Sequence, residues 1–173
     1  MLPQLPDHYM FLDESFDLGG LSWDSMFEFL DNHPEDIFKL RGDCGSVNLL
    51  GCEKRSSFPF KNIIKELECQ FPDKPITAHV FFGITDRHTT FGIHRDTMHV
   101  LYMQLLGKVD WQIHRPKNKN AMADNLMPES SKMIERKILN PGDIVWNPKG
   151  TYHHSKPIGT RMGISFGVEG LNV

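Results

Sequence analysis

From Ile76 to Val168 turn-forming residues cut the chain into short apolar runs, and this punctuation constrains the fold more than any other feature. The runs are Thr77–Ile84, Thr90–His94, His99–Leu106, Val109–His114, Met133–Leu139, Ile144–Trp146, Tyr152–Lys156 and Arg161–Val168. Gly107-Lys108, Asn140-Pro141-Gly142-Asp143, Pro148-Lys149-Gly150 and Pro157-Ile158-Gly159 separate several of them, supplying residues that tolerate positive φ or preset a turn. Short strands at such spacing lead to a closed framework, here a mainly β jelly roll of about eight strands. The polar segment from Arg115 to Ser131 interrupts the series and reads as an insertion at the barrel mouth, with Lys117 and Lys119 on a solvated loop face.

The first 75 residues have a different character. Pro3, Pro6 and the pair Gly19-Gly20 mark an irregular arm laid on the domain. Ser22 is placed to cap a helix running to about Asn32, with Trp23, Met26, Phe27 and Leu30 at helical spacing. Pro34 ends it, and Glu35 to Leu40 form a further turn or two before Gly42. Ser46 to Leu50 suit a short strand. Pro59 then opens a helix whose apolar face is Ile63, Ile64 and Leu67, stopped by Pro72. The organisation expected is one domain over residues 1–173, with the arm and flanking helices in 1–75 and the jelly-roll core in 76–173.

A formal charge of −3 and a pI near 6.3 argue against a nucleic-acid surface. No apolar run reaches the ~18 residues of a membrane span, and Met1 to Asp7 lack the basic start and apolar stretch of a secretory leader. Cys44, Cys52 and Cys69 are an odd set that fits free thiols in a reducing compartment, so a cytoplasmic location is expected. The offset between Cys44 and Cys52 is not a zinc-knuckle spacing.

Two segments carry chemistry. In Phe91-Gly-Ile-His94-Arg-Asp96, an imidazole and a carboxylate two residues apart share one face of an extended chain. A His-x-Asp alone is weak, because strand histidines often bond a nearby carboxylate. Much later, a turn rich in Gly and Pro delivers Tyr152-His153-His154. His94, Asp96 and one of the paired histidines would make a set of two His and one carboxylate, which suits non-haem Fe(II) with open coordination positions.

Gly142, Pro148, Gly150 and His153 together resemble the second conserved motif of the cupin superfamily, whose terminal histidine is a metal ligand. His94, Asp96, Val100 to Met103, Gln104, Gly107, Lys108 and Trp111 resemble the Jumonji-C and related cupin-like Fe(II)/2-oxoglutarate oxygenases, and Leu139 to Pro148 resembles the turn and strand before their distal histidine. The likeness spans roughly Ile76 to Val168. It implies a double-stranded β-helix in which His94, Asp96 and His153 are the metal ligands, with Fe(II) and 2-oxoglutarate as cofactor and cosubstrate. His153 is preferred over His154 because the motif spacing ends on it and neighbouring strand residues face opposite ways. Asp96 stands where related halogenases carry Gly or Ala, so the resemblance implies hydroxylation.

The distal carboxylate of 2-oxoglutarate requires a buried cation. In the Jumonji-C-like pattern it sits two residues past the glycine, which here is Val109. Lys108 is adjacent but of opposite parity. Thr160 to Ser165 instead resembles the last-strand segment of the prolyl-hydroxylase branch, with Arg161 as the anchor and Ser165 beside it. The reading is therefore a hydroxylase acting on a C–H bond of a protein side chain or a small amino-acid-like substrate, using dioxygen, with homodimerisation left open. The alternatives are a cupin-type metal enzyme that does not use 2-oxoglutarate and a non-catalytic metal-binding module. Trp111 and Trp146 are expected in the core, Tyr102 and Gln104 as pocket lining only if no bulge intervenes, and His79, His99 and His114 as hydrogen-bonded strand histidines.

Overall fold

Two long strands organise the molecule. A computed structural model describes residues 1–12, 16–32, 38–41, 46–54, 58–86, 92–116 and 131–169. In it, the runs expected as His99–Leu106 and Val109–His114 form one strand, and so do Tyr152–Lys156 and Arg161–Val168. Numbering the strands in chain order, these are β5 (His99–Pro116) and β8 (Tyr152–Val168). They pair antiparallel from His99↔Val168 to His114↔Tyr152, with register shifts at Gln104/Leu106 and Leu106/Lys108. Gly107 takes φ +70° there, and a Cβ on it would lie 2.1 Å from the Thr160 carbonyl oxygen. Only glycine lets the strands approach so closely. Gly107-Lys108 and Pro157-Ile158-Gly159 thus bend strands rather than end them, and the paired bulges turn the ladder from one layer into another.

Beyond that corner the two layers differ. The remaining strands are β1 (Met10–Leu12), β2 (Phe38–Arg41), β3 (Ser46–Leu49), β4 (Ile76–Gly83), β6 (Ser131–Leu139) and β7 (Ile144–Asn147). The larger layer runs β1-β7-β5-β8-β4-β3-β2, using the first half of β5 and the second half of β8. The smaller layer places β6 against Val109 to Pro116 of β5, with Tyr152 to Ile158 of β8 on the other side and His94 bridging to His153. The layers face one another, with the rings of Tyr102 and Trp111 4.5 Å apart between them. The result is the double-stranded β-helix expected.

Several local expectations change. The N-terminal arm contributes β1, paired as Met10↔Trp146. Where Glu35 to Leu40 were expected to be helical, residues 38–41 are β2, because pairing with β3 overrides local propensity; residues 33–37 lie outside the described ones. Of the run Thr90–His94, residues 90 and 91 lie outside the described ones, Gly92 and Ile93 bend, and His94 alone pairs. Cys44 and residues 117–130, which hold most of the expected insertion with Lys117 and Lys119, also lie outside the described residues.

The helices form where the sequence placed them. In α1 (Trp23–Asp31), Ser22 Oγ accepts from Ser25 N (3.2 Å) and Ser25 Oγ accepts from Ser22 N (3.0 Å), a reciprocal cap. In α2 (Lys61–Gln70), Ile63 and Leu67 are the buried positions, and the helix stops before Pro72. Both helices cover the outer face of the larger layer, where Met26, Ile63 and Leu67 join Leu101, Met103, Ile164 and Phe166 in one apolar core. Burying each such side chain stabilises the fold by roughly 1.5–3 kcal/mol. The inner face, between the layers, is left for other groups.

Candidate active site

Three backbone hydrogen bonds staple the two chemistry-bearing segments together. His94 N donates to His153 O (3.0 Å), His153 N donates to His94 O (2.8 Å), and Gly150 N donates to Asp96 O (3.1 Å). The turn Pro148-Lys149-Gly150 and the bend at Gly92 before His94 thus serve one purpose. They bring a strand-borne histidine beside a loop-borne histidine and carboxylate.

The side chains converge as well. His94 Nδ1 lies 3.0 Å from Gly92 O, and His153 Nδ1 lies 3.0 Å from Thr151 O. A carbonyl can only accept, so each ring carries its proton on Nδ1 and offers Nε2 as a ligand. Those Nε2 atoms stand 3.9 Å and 3.6 Å from the two Asp96 carboxylate oxygens. All three ligating atoms lie within 4.8 Å of one another. Burial, with His94 beside it, pushes His153 down to about 4, so the ring is neutral and ready to ligate at ordinary pH. Two imidazole nitrogens and one carboxylate in this arrangement could hold a divalent cation with open positions. His154, the other candidate, is not in the cluster.

The cluster opens into a cavity between the layers, lined on the far side by the inner face of the larger one. In register across that face, Ser165 of β8 sits between His79 of β4 and Tyr102 of β5. Arg161 is only 2% exposed and lines the same cavity. Its Nη1 donates to the Tyr102 hydroxyl (3.1 Å), and among the described residues its Nε has no partner and no carboxylate pairs with it. A buried guanidinium without a counter-ion is costly unless an anion completes it, so the donor set fits a carboxylate ligand. Ser165 lines the cavity as expected.

Lys108 does not. It is exposed at the corner, because the bulges around Gly107 turn its side chain to solvent. Val109, where the Jumonji-C-like pattern has its cation, is fully buried and apolar. Trp111 is buried as expected but is more than core: its ring lies flat on His153 (5.1 Å, 5°) and lines the cavity. Trp146 stays in the apolar core on the outer face. His114 is hydrogen-bonded to Ser131 Oγ and Gln112 Oε1, whereas neither ring nitrogen of His99 finds a partner among the described residues. His79, on β4, lines the cavity. Sequence parity alone could have linked Tyr102 and Gln104; the hydrogen bond between them required coordinates.

With this geometry in hand, comparison with known proteins is informative. The chain matches the JmjC domain family over residues 57–173. No curated protein matches its sequence. Among solved structures it is similar to YcfD, a ribosomal oxygenase from Escherichia coli, at 17% identity and a TM-score of 0.61, covering 95% of this chain and 48% of that one. A structure of the same bacterial protein with cobalt and 2-oxoglutarate is similar at 20% identity and a TM-score of 0.53, over 74% of this chain and 32% of that one. The chain therefore spans about a third to a half of the length of these proteins. No helix among the described residues is long and apolar enough to cross a membrane.

Proposed function

This chain belongs to the JmjC domain family, and on that premise we propose that it is an Fe(II)- and 2-oxoglutarate-dependent oxygenase hydroxylating a C–H bond. The observation that carries the reading is the convergence of His94, Asp96 and His153 on a cavity that also contains the Arg161 guanidinium, which has no carboxylate partner among the described residues. His94 and His153 would hold the iron through Nε2, and Asp96 through its carboxylate. When bound, iron and 2-oxoglutarate supply the oxidation: dioxygen gives one oxygen atom to the substrate C–H bond and the other to the 2-oxo acid, which leaves as succinate and CO₂.

The residues of this chain do the rest. Gly92 O and Thr151 O fix the tautomers of the two histidines, so that no ring reorientation accompanies ligation. Arg161 takes the distal carboxylate of 2-oxoglutarate in a charge-assisted bond, with Ser165 beside it. Trp111 and Tyr102 wall the cavity and keep water from the ligands. The substrate is a protein side chain or a small amino-acid-like molecule, a reading favoured by the likeness to a ribosomal oxygenase.

Anaerobic addition of Fe(II) and 2-oxoglutarate tests this directly, since the chelate gives a visible charge-transfer band. The band is expected with the wild type and lost in His94→Ala; a folded wild type without it removes the proposal. Arg161→Ala separates the alternative of a cupin enzyme that binds its substrate directly to the metal. That enzyme would keep its turnover, whereas here 2-oxoglutarate affinity should fall about 10–100-fold, the worth of a charged hydrogen-bond set.

A further inference from the structure

Arg161 is held by a hydrogen-bond chain whose every direction is fixed by its far end. Gln104 Nε2 donates to the Leu106 carbonyl oxygen (2.7 Å). A carbonyl only accepts, which sets the amide orientation of Gln104 and leaves its Oε1 as an acceptor. Tyr102 OH donates to that oxygen at 2.6 Å. With its single proton committed, the Tyr102 oxygen can only accept from the cavity side, and Arg161 Nη1 donates to it at 3.1 Å.

The chain is built for this and is not accidental packing. Tyr102 is 2% exposed and Gln104 fully buried. Burial raises the Tyr102 pKa, which keeps the phenol protonated and in its donor role toward Gln104. The ring fits only because β8 carries glycine opposite it. A Cβ on Gly163 would lie 1.9 Å from the Tyr102 hydroxyl and 2.4 Å from Cζ. Gln104 is itself tied down through its backbone, accepting from Gly142 N (2.8 Å) and donating to Asp143 O (3.0 Å). The turn that precedes the distal histidine therefore also anchors the chain that ends on Arg161.

Resting on the oxygenase reading above, we infer that Tyr102 and Gln104 are positioning residues that aim Arg161 at the distal carboxylate of the 2-oxo acid, so that this chain selects a dicarboxylate through an Arg161–Tyr102–Gln104 relay. Tyr102 does not contact the carboxylate as a donor, because its proton is already spent on Gln104. The relay acts through the orientation of the guanidinium, leaving Nε free to bond the ligand. It does for β8 what a cation at position 109 would do for β5.

The test is equilibrium binding with two 2-oxo acids under anaerobic conditions, read by the Fe(II) charge-transfer band. In Tyr102→Phe the Kd for 2-oxoglutarate should rise about tenfold, as when one hydrogen bond to a charged group is lost. The Kd for 2-oxopentanoate, which lacks the distal carboxylate, should stay within about twofold of wild type. Gln104→Leu should act in the same direction, and it carries the test if Tyr102→Phe does not fold. Unchanged 2-oxoglutarate affinity in the folded variants would overturn the relay, as would equal losses for both acids, which would indicate a damaged cavity. A wild type with no band removes the oxygenase reading and this inference together, whereas a normal wild-type band with unmoved variants removes the relay alone.

Discussion

The larger layer has two faces written by the same three strands, and they differ in what they leave unfinished. On the outer face, Ala78 and Val80 of β4, Ile164 and Phe166 of β8 and Leu101 and Met103 of β5 are all fully buried against the helices. On the inner face, alternating with them, stand His79, Arg161, Ser165, Tyr102 and Gln104. Because strand side chains alternate, each strand carries a packing sequence and a binding sequence interleaved at period two. The outer face is closed by apolar packing, His99 excepted. The inner one keeps a buried cation with an unpaired N–H. Stability and chemistry are thus separated by half a pleat.

The sharpest way to break that comparison is a pair of substitutions five residues apart on β8. Phe166→Ala on the outer face should lower the unfolding free energy by about 3–5 kcal/mol, the cost of an emptied aromatic site in a packed core. Arg161→Met on the inner face should move metal-free stability the other way, upward by about 1 kcal/mol, since it removes an uncompensated buried charge and keeps most of the volume. Urea unfolding of the metal-free proteins measures both. A loss with Arg161→Met comparable to that of Phe166→Ala would mean that the inner face is core after all.

A smaller effect separates two glycines of the inner face. At Gly163 the added methyl group meets the phenol of Tyr102, whose hydroxyl is held by both Gln104 and Arg161. At Gly167 it meets the Met98 sulfur at 2.4 Å and Thr77 Oγ1 at 2.7 Å, and the methionine end is a flexible side chain that can swing away. Gly163→Ala should therefore cost about 1–3 kcal/mol by overpacking and also weaken 2-oxoglutarate binding. Gly167→Ala should cost less and leave that affinity near wild type. Equal effects at both positions would show that the cavity floor yields everywhere, and that Tyr102 is not specially seated.

The outer face was legible in the sequence, and the inner face only in part. Short apolar runs between turn residues gave the strands, and the spacing from Gly142 to His153 pointed to the histidine that joins the cluster, because both are local patterns. The corner was misread: Gly107 and Gly159 carry turn chemistry, and nothing local distinguishes a hairpin from a bulge facing a second bulge across a ladder. Glu35 to Leu40 failed for a related reason, since the strand at 38–41 is held by a partner and not by its own propensity. Lys108 and Arg161 are both candidates for the anchor; strand parity already turns Lys108 away, and the structure leaves it in solvent at the corner while Arg161 lines the cavity. The relay through Gln104 ends on a backbone carbonyl, a group with no sequence signature at all.

The smallest effect concerns His99, a polar residue placed on the outer face. Its ring is stacked on Trp146 (5.4 Å, 17°) and packs near Phe71, and neither of its nitrogens has a partner among the described residues. Burial lowers its pKa below the usual histidine value; Asp7 pulls in the opposite direction and Lys149 adds to the lowering. The folded state thus holds the neutral ring, while the unfolded chain protonates it near its ordinary value of about 6.5. As pH falls below that value the unfolded state binds more protons than the folded one, so stability is full above it and lost below. His99→Phe keeps an aromatic ring in the stack and removes the titration. The variant should be little changed at pH 8 and should gain on wild type as pH falls from 7 to 5, measured as the difference in urea midpoints. A difference that stays flat with pH would mean that the site admits the charged ring, and that the outer face is less strictly apolar than its packing implies.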